Sequence, residues 1–270
     1  AGARDGTLAR DGSPAPAFSP GGARSIRAAE EVLVTVTKPF HAASEVFRNL
    51  RTGILFAGAT RTVRTIVVTS AVPGEGKSVI AANLAIVMAQ AGERVILVDA
   101  DMRRPVQHAL FGLPPATGLS TLYLEDEADV HSAVINALRP TAVPNLRLLD
   151  AGQIPPNPAE LLASARTSNV VETLSAQANV VIFDTPAMGL LTDAVIVGSH
   201  ADATLVVIRA RSTRRDLAKM ALAKLAAVDA RVVGVVLNMA DEPGLSYARY
   251  YQRAQRAFMR SAAAGTAGDK

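Results

Sequence analysis

The chain has no cysteine and no tryptophan, and aromatic residues fill only 4% of its 270 positions. Without cysteine there is no disulfide framework, no thiolate-held metal and no thiol nucleophile. Histidine is scarce as well: His41, His108, His131 and His200 stand apart, with no spacing suited to a shared metal. Each reads as a surface or packed side chain. No apolar run reaches the ~18 to 20 residues of a membrane helix. The N-terminus lacks the charged-then-apolar pattern of a secretion signal, so a soluble chain is expected. Net charge is small too: 28 Lys and Arg against 24 Asp and Glu leave +4, which selects no partner among nucleic acid, anionic lipid and phosphate ligands. Core material is plentiful. Hydrophobic residues make up 49% and charged residues 19%, which excludes a fully disordered chain and allows one large domain or two small ones.

Residues 1–37 read as a flexible, disordered linker in which Ala, Gly, Ser and Pro crowd together, as in Gly12-Ser13-Pro14-Ala15-Pro16. With no initiator Met, a start cut from a longer protein is expected. Val32–Val36 is β-rich and stops before Pro39. From Ser44 to Phe56, apolar residues recur at helical steps. Strand and helix then alternate across a body assigned to 38–240. The strands are Thr65–Val68, Val95–Val98, Leu146–Leu149, Val180–Phe183, Thr204–Ile208 and Val232–Leu237, continuous apolar runs that read as buried on both faces. The helices include Ser78–Ala91 with Gly92 as C-cap, a start at Asn157-Pro158-Ala159-Glu160, and Thr213–Val228. This alternation predicts a doubly wound α/β fold, a mostly parallel sheet with helices on both faces. Residues 241–270 form a polar, arginine-dotted tail with no strand signal.

The sharpest motif is Ser70-Ala71-Val72-Pro73-Gly74-Glu75-Gly76-Lys77-Ser78, set between a buried strand and a helix. Glycines let backbone N–H groups turn toward an anion, and the helix start offers it a positive dipole end. Lys77 reaches phosphates and the Ser78 hydroxyl suits Mg²⁺, so Gly74, Glu75, Gly76, Lys77, Ser78 and Val79 are the expected nucleotide-binding residues. Ala71 stands where the usual pattern has its first Gly. An ordinary Gly/Pro turn is the competing reading, and Gly-Lys-Ser at a strand–helix junction argues against it.

Asp99 and Asp101 follow the second strand, and Asp184 follows a later one. A parallel sheet carries such residues to one edge, beside the phosphate loop. There one carboxylate can hold Mg²⁺ and another can take a proton from an attacking hydroxyl. A turn or cap role is the common alternative for any single Asp. Asp101 has a further one, pairing with Arg103 or Arg104.

The loop A-V-P-G-E-G-K-S, the run ILVDADMRRP and the strand VVIFDTPA resemble the Walker A, A-prime and B motifs of bacterial tyrosine kinases of capsular and exopolysaccharide co-polymerase systems. The resemblance covers roughly residues 40–251 and takes in Gly118-Leu119-Ser120 and Gly152–Leu162. Ala187 stands where a second proline is usual. The resemblance implies a P-loop fold of the deviant Walker A class, with 38–240 as the kinase domain. Lys77, Asp99 and Asp101 would be catalytic, and Ser78, Asp99 and Asp184 would serve magnesium; which Asp is the base stays open. The related ParA and MinD partitioning ATPases carry an additional lysine early in this loop, where this chain has Ala71-Val72-Pro73.

Tyr247, Tyr250 and Tyr251 hold three of the four tyrosines, with Arg249 and Arg253 beside them and Tyr123 far away. A short helix burying aromatics is one reading. The resemblance implies the other, a phosphoacceptor tail modified by a neighbouring subunit. Glu45, Arg48 and Arg51 sit at three-residue steps on the first helix. By themselves they describe an exposed ion-paired face; the resemblance makes them a subunit contact that closes a ring.

The resemblance therefore implies an ATP-dependent protein tyrosine autokinase that regulates capsule or exopolysaccharide polymerisation and export. A partitioning-type ATPase and a nucleotide-binding scaffold are the alternatives. Expected partners are further copies of the chain, a transmembrane activator segment, fused or separate, and a cognate tyrosine phosphatase. No nucleic acid is expected. The expected place is the cytoplasmic face of the plasma membrane, reached through the activator or a missing N-terminal membrane domain.

Overall fold

The apolar runs become strands of a single sheet in the computed structural model, which describes residues 32–58, 62–124 and 130–240. The strands are β1 (Thr65–Ser70), β2 (Val95–Asp99), β3 (Arg139–Pro140), β4 (Leu146–Leu149), β5 (Val180–Asp184), β6 (Ala203–Arg209) and β7 (Val232–Asn238). Their spatial order is β3-β4-β2-β5-β1-β6-β7. All neighbours run parallel except β3 against β4. Parallel strands require crossovers, and the helices between them cover both faces.

Those helices are α1 (Val34–Thr37), α2 (Ala42–Ala57), α3 (Lys77–Gln90), α4 (Gln107–Leu110), α5 (Leu119–Leu124), α6 (Val130–Ala137), α7 (Pro158–Leu162), α8 (Arg166–Gln177), α9 (Asp193–Ser199) and α10 (Arg215–Ala226). One face of the sheet packs Ile66, Val68, Leu97 and Ile182 against α3, with Phe47 and Ile54 of α2 outside it. The other packs Val67, Ile96, Val98 and Val181 against α5, α6 and α8. α3 is apolar all round because it lies between sheet and α2; Ile80 through Ala89 are all buried. Two of the resembling stretches meet each other: a Cβ on Gly118 would sit 2.8 Å from Gly152 N, and one on Gly152 would sit 2.5 Å from Ser120 Oγ.

Three expectations are corrected. The β-rich Val32–Val36 contributes a helical turn, with Leu33 and Thr35 buried, so packed structure begins before residue 38. The reason is tertiary: Asn83 on α3 accepts from Thr35 N (3.1 Å) and Thr35 Oγ1 (2.8 Å) and donates to Val32 O (3.1 Å). Asn157 precedes α7 but caps no backbone N–H; its amide donates to Glu160 Oε2 at 2.8 Å. The strand at 232–238 is an edge strand and only partly covered, with Val235 and Leu237 exposed. Residues 241–270 lie outside the described residues.

Asn83→Leu should strand the Thr35 N–H and the Val32 carbonyl in a dry place. The expected loss is about 1–3 kcal/mol of stability, with new proteolytic cleavage near residues 32–37. Denaturant titration and limited proteolysis check both, and unchanged protection of that turn would disprove its anchoring by Asn83.

Candidate functional site

β1, β5 and β2 are neighbours at the centre of the sheet, so their C-terminal ends deliver the phosphate loop, Asp184 and Asp99 to one place. Register sets Asp99 directly beside Asp184. The loop turns at Gly74 and Gly76 with φ of +82° and +88°, a backbone open to glycine at little cost. Gly76 is doubly constrained, because a Cβ there would meet Asn238 Nδ2 at 2.3 Å. It caps α3 without any side-chain acceptor, leaving the first N–H groups of a 14-residue helix to an anion. Ala71 is 3% exposed and packs with Met188, Ala194 and Val206, so its methyl fits where the common pattern has glycine.

Lys77 Nζ donates to Asp101 Oδ2 at 2.8 Å and to Ser78 Oγ at 3.1 Å, and lies 3.6 Å from Asp184 Oδ1. Burial pulls the Lys77 pKa down, but the carboxylates of Asp184 and Asp101 more than offset this, and it ends above the usual lysine value. Asp101 Oδ1 accepts from Arg104 N at 3.0 Å. Asp101 is therefore paired with Lys77, while the Arg103 side chain goes to Asp193, its Nε 3.0 Å from Oδ1.

Asp99 behaves differently. Its Oδ2 accepts from Val106 N and Gln107 N, each at 2.9 Å, and its Oδ1 from Asp101 N at 3.3 Å. The carboxyl shapes the 101–107 loop. Burial chiefly, and Asp184 next, push its pKa up to about 8, against the pull of the Gln107 and Val106 N–H groups. Burial also raises the Asp184 carboxyl, with the Lys77 ammonium the chief opposing influence.

Asp184 Oδ2 accepts from Gln107 Nε2 at 2.8 Å, whereas Oδ1 is buried and has no hydrogen-bond partner. That open oxygen, with the Ser78 hydroxyl and Asp101 nearby, is a hard-oxygen set that fits magnesium. The described residues contain no cluster of three or more His, Cys, Asp or Glu able to cage a metal alone. Mg²⁺ needs no such cage, since it keeps waters and phosphate oxygens among its ligands. Of the three residues expected to serve the metal, Ser78 and Asp184 share this space, and both Asp99 oxygens already serve backbone N–H groups.

Glu75, expected to bind ATP, turns its carboxylate into the protein. It is 1% exposed, accepts from Val72 N (2.9 Å) and Arg209 N (3.2 Å), and takes a hydrogen bond from Thr213 Oγ1. Val79 sits in the first turn of α3. Sequence reasoning missed Gln107, whose Nε2 also donates to Ser78 O at 3.0 Å, and Asn238, whose Nδ2 donates to Glu75 O at 2.8 Å. Neither belongs to a short motif; only the fold brings them in. A cavity of about 430 Å³ opens at the N-terminal ends of β2 and β4, beside Arg94 and Arg147, and shares no residue with this site. A phosphate held by backbone N–H groups needs no enclosure.

The outlying candidates lie away from this centre. On α2, Arg48 pairs with Glu45 and donates to Pro39 O at 2.8 Å, and Arg51 donates to Val87 O at 3.1 Å. These three make no hydrogen bond or ion pair with the phosphate loop's ligand groups. Tyr123 shares a 2.8 Å hydrogen bond with Thr167, and burial raises its pKa, so it is poorly disposed to accept a phosphoryl group. Tyr247, Tyr250 and Tyr251 lie outside the described residues.

Residues 66–262 match the CobQ/CobB/MinD/ParA nucleotide binding domain family. The chain is 38% identical over 206 residues to the tyrosine-protein kinase YwqD of Bacillus subtilis, covering 76% of this chain and 85% of that one. It is 35% identical over 218 residues to the tyrosine-protein kinase Wzc of Salmonella typhimurium, covering 81% of this chain but only 30% of that longer protein. Among solved structures, the chimerical protein CapA2B2 superposes with a TM-score of 0.72 at 37% identity, covering 78% of this chain and 91% of that one.

Because the raised Asp99 carboxyl keeps its proton to about pH 8 when folded, while an unfolded aspartate releases it near ~4, stability should fall as pH rises through that window. Calorimetry on the ligand-free chain should show a thermal midpoint that declines from pH 5 toward 8. Asp99→Asn should flatten part of the slope, with Asp184 supplying the rest. A midpoint constant over that range would contradict the raised carboxyls of Asp99 and Asp184.

Proposed function

The chain belongs to the CobQ/CobB/MinD/ParA nucleotide-binding family and, within it, to the bacterial tyrosine-protein kinases, and from that premise we propose that it moves the γ-phosphoryl of ATP to tyrosines of its own C-terminal tail. The observation that carries the mechanism is the placement of the Lys77 ammonium between Asp101 and Asp184, at the start of a helix whose N–H groups are uncapped. ATP phosphates arriving at Gly74–Ser78 give Lys77 a stronger partner than Asp101. That releases Asp101 Oδ2, the carboxylate oxygen best placed to receive the phenol proton. The tyrosine oxygen then bonds to the γ-phosphorus as the bond to the β,γ-bridging oxygen breaks; ADP leaves and the proton passes to Asp101. Bound at Ser78 and Asp184, magnesium would neutralise phosphate charge. Asp99 and Gln107 hold the acidic loop and Asp184 in register, and Glu75 holds the phosphate loop in its receiving shape.

The partitioning-ATPase reading is weaker. The early loop lysine of those proteins is Ala71-Val72-Pro73 here, and the relatives at 32–38% identity carry tyrosine-kinase names. The tail acceptors are Tyr247, Tyr250 and Tyr251. Copies associate through Glu45, Arg48 and Arg51 so that one tail enters the neighbouring site. A transmembrane activator segment, fused or separate, brings the kinase to the cytoplasmic face of the membrane, where it regulates capsule or exopolysaccharide polymerisation and export. What supports the two forms is length: the chain spans 85% of YwqD but 30% of Wzc. No helix among the described residues is long and apolar enough to cross a membrane. A tyrosine phosphatase reverses the modification.

Mass spectrometry after incubation with Mg-ATP should find phosphate on Tyr247, Tyr250 or Tyr251, and Lys77→Met should abolish it, a loss of at least about a hundredfold. Phosphotyrosine persisting in that variant would remove Lys77 from the active site. Free phosphate released without phosphotyrosine, even with the activator's cytoplasmic segment added, would favour the ATPase reading. Separately, Arg48→Ala with Arg51→Ala should shift the particle toward monomer on light scattering. An unchanged mass would leave the motif as a surface ion pair with internal hydrogen bonds.

A further inference from the structure

Toward its end the last strand carries an apolar face that the described residues leave about half exposed. Register sets Val235 beside Val206 and Leu237 beside Ile208, so those side chains project to the face that α9 and α10 occupy. Val232, at the start of β7, still packs against that cluster, and the cover thins toward the strand's end. Val206 is buried, whereas Val235 is 48% and Leu237 57% exposed. Met239, one residue past the strand, is 55% exposed. On the opposite face, Val233 and Val236 pack against the cluster that includes α2.

The C-terminal segment has the composition and length to match that face. Pro243-Gly244 is a turn signal, and 30 residues run from Asp241 to Lys270. Tyr247, Tyr251, Ala254 and Phe258 recur at steps of four, three and four. At ~100° per residue they fall within an arc of roughly 60°. Arg249, Arg253, Arg256 and Arg260 repeat the same steps on the opposite side. A helix over 246–261 would be about 24 Å long, close to the ~23 Å of a seven-residue strand. The family match continues to residue 262, beyond Phe258, so this segment falls within the family's domain.

We propose that residues 246–261 dock as an amphipathic helix on the α10-side face of β7, the Tyr–Ala–Phe stripe against Val235 and Leu237 and the arginine stripe in water. The docked segment seals the sheet edge and holds Tyr247 and Tyr251 in the seam, with Tyr250 at its flank. The regulatory meaning rests on the kinase reading, though the docking does not. Acceptors seated on their own subunit are withheld from the neighbouring active site, and phosphate on Tyr247 or Tyr251 puts charge into an apolar seam and releases the segment.

The lack of cysteine makes thiol crosslinking clean. In the full chain carrying Lys77→Met, so that no phosphate intervenes, Val235→Cys with Ala254→Cys should crosslink within one chain through a short bismaleimide. Val235→Cys with Arg253→Cys, on the opposite helical side, should give at least tenfold less. Equal yields, no crosslink, or a crosslink only between chains would overturn the docking. Phe258→Asp in the full chain should raise binding of a hydrophobic dye several-fold, and no rise would count against the docked face. With Lys77 restored, the crosslinked chain should show at least tenfold less phosphotyrosine at Tyr251 than the same variant before crosslinking. Equal phosphorylation would overturn the withholding. A crosslink with no phosphotyrosine in either state would uphold docking and count against the kinase reading alone.

Discussion

One ammonium among three buried carboxylates sets the character of this molecule. Asp99, Asp101 and Asp184 come to one sheet edge because their strands are central neighbours, and only Lys77 answers them with full charge. Water would screen such a group, but Asp99 and Asp184 are fully buried and Asp101 nearly so. The protein answers with protons and with N–H donors. Asp99 is held by three backbone N–H groups and Asp184 by the Gln107 amide. One acceptor, Asp184 Oδ1, is left without a hydrogen bond. A site so short of positive charge attracts a cation, and that is the need the proposed magnesium would meet. In the mechanism proposed above, the pairing of Lys77 with Asp101 is a resting arrangement that substrate dissolves.

The sheet was largely legible in the sequence, and for a physical reason. Strands buried on both faces must be apolar at every position, so Val95–Val98 and Val180–Phe183 announce themselves without any periodicity. The phosphate loop was legible because its chemistry is packed into nine consecutive residues. The carboxylates were legible once strand ends were located. Val32–Val36 misled because β-branched residues favour strands by local preference, while one buried amide, Asn83, decides the matter from 48 residues away through Thr35. Gln107 and Asn238 could not be seen at all, since 77 and 163 residues separate them from the groups they hold. Glu75 misled in the other direction. A charged residue in a glycine loop suggests exposure to ligand, yet its partners come from the far end of β6.

The α2 motif shows the limit of surface reading. Glu45, Arg48 and Arg51 have partners within their own chain, through Pro39 O, Val87 O and each other. Such bonds orient the guanidinium groups and lower the entropy lost if another subunit meets them. They equally suffice to explain the motif without any partner. The fold thus brings Lys77, Ser78, Asp99, Asp101 and Asp184 to one place, whereas a single chain carries no observation that decides assembly.

The hydrogen bond from the Asn238 amide to the Glu75 carbonyl has a mechanical consequence. Asn238 ends the last strand, and its side chain rests against Gly76, where an added methyl group would have to displace it. The phosphate loop and the end of the last strand are therefore tied at one amide. A phosphate that shifts this loop must either carry the Asn238 side chain with it or break that hydrogen bond.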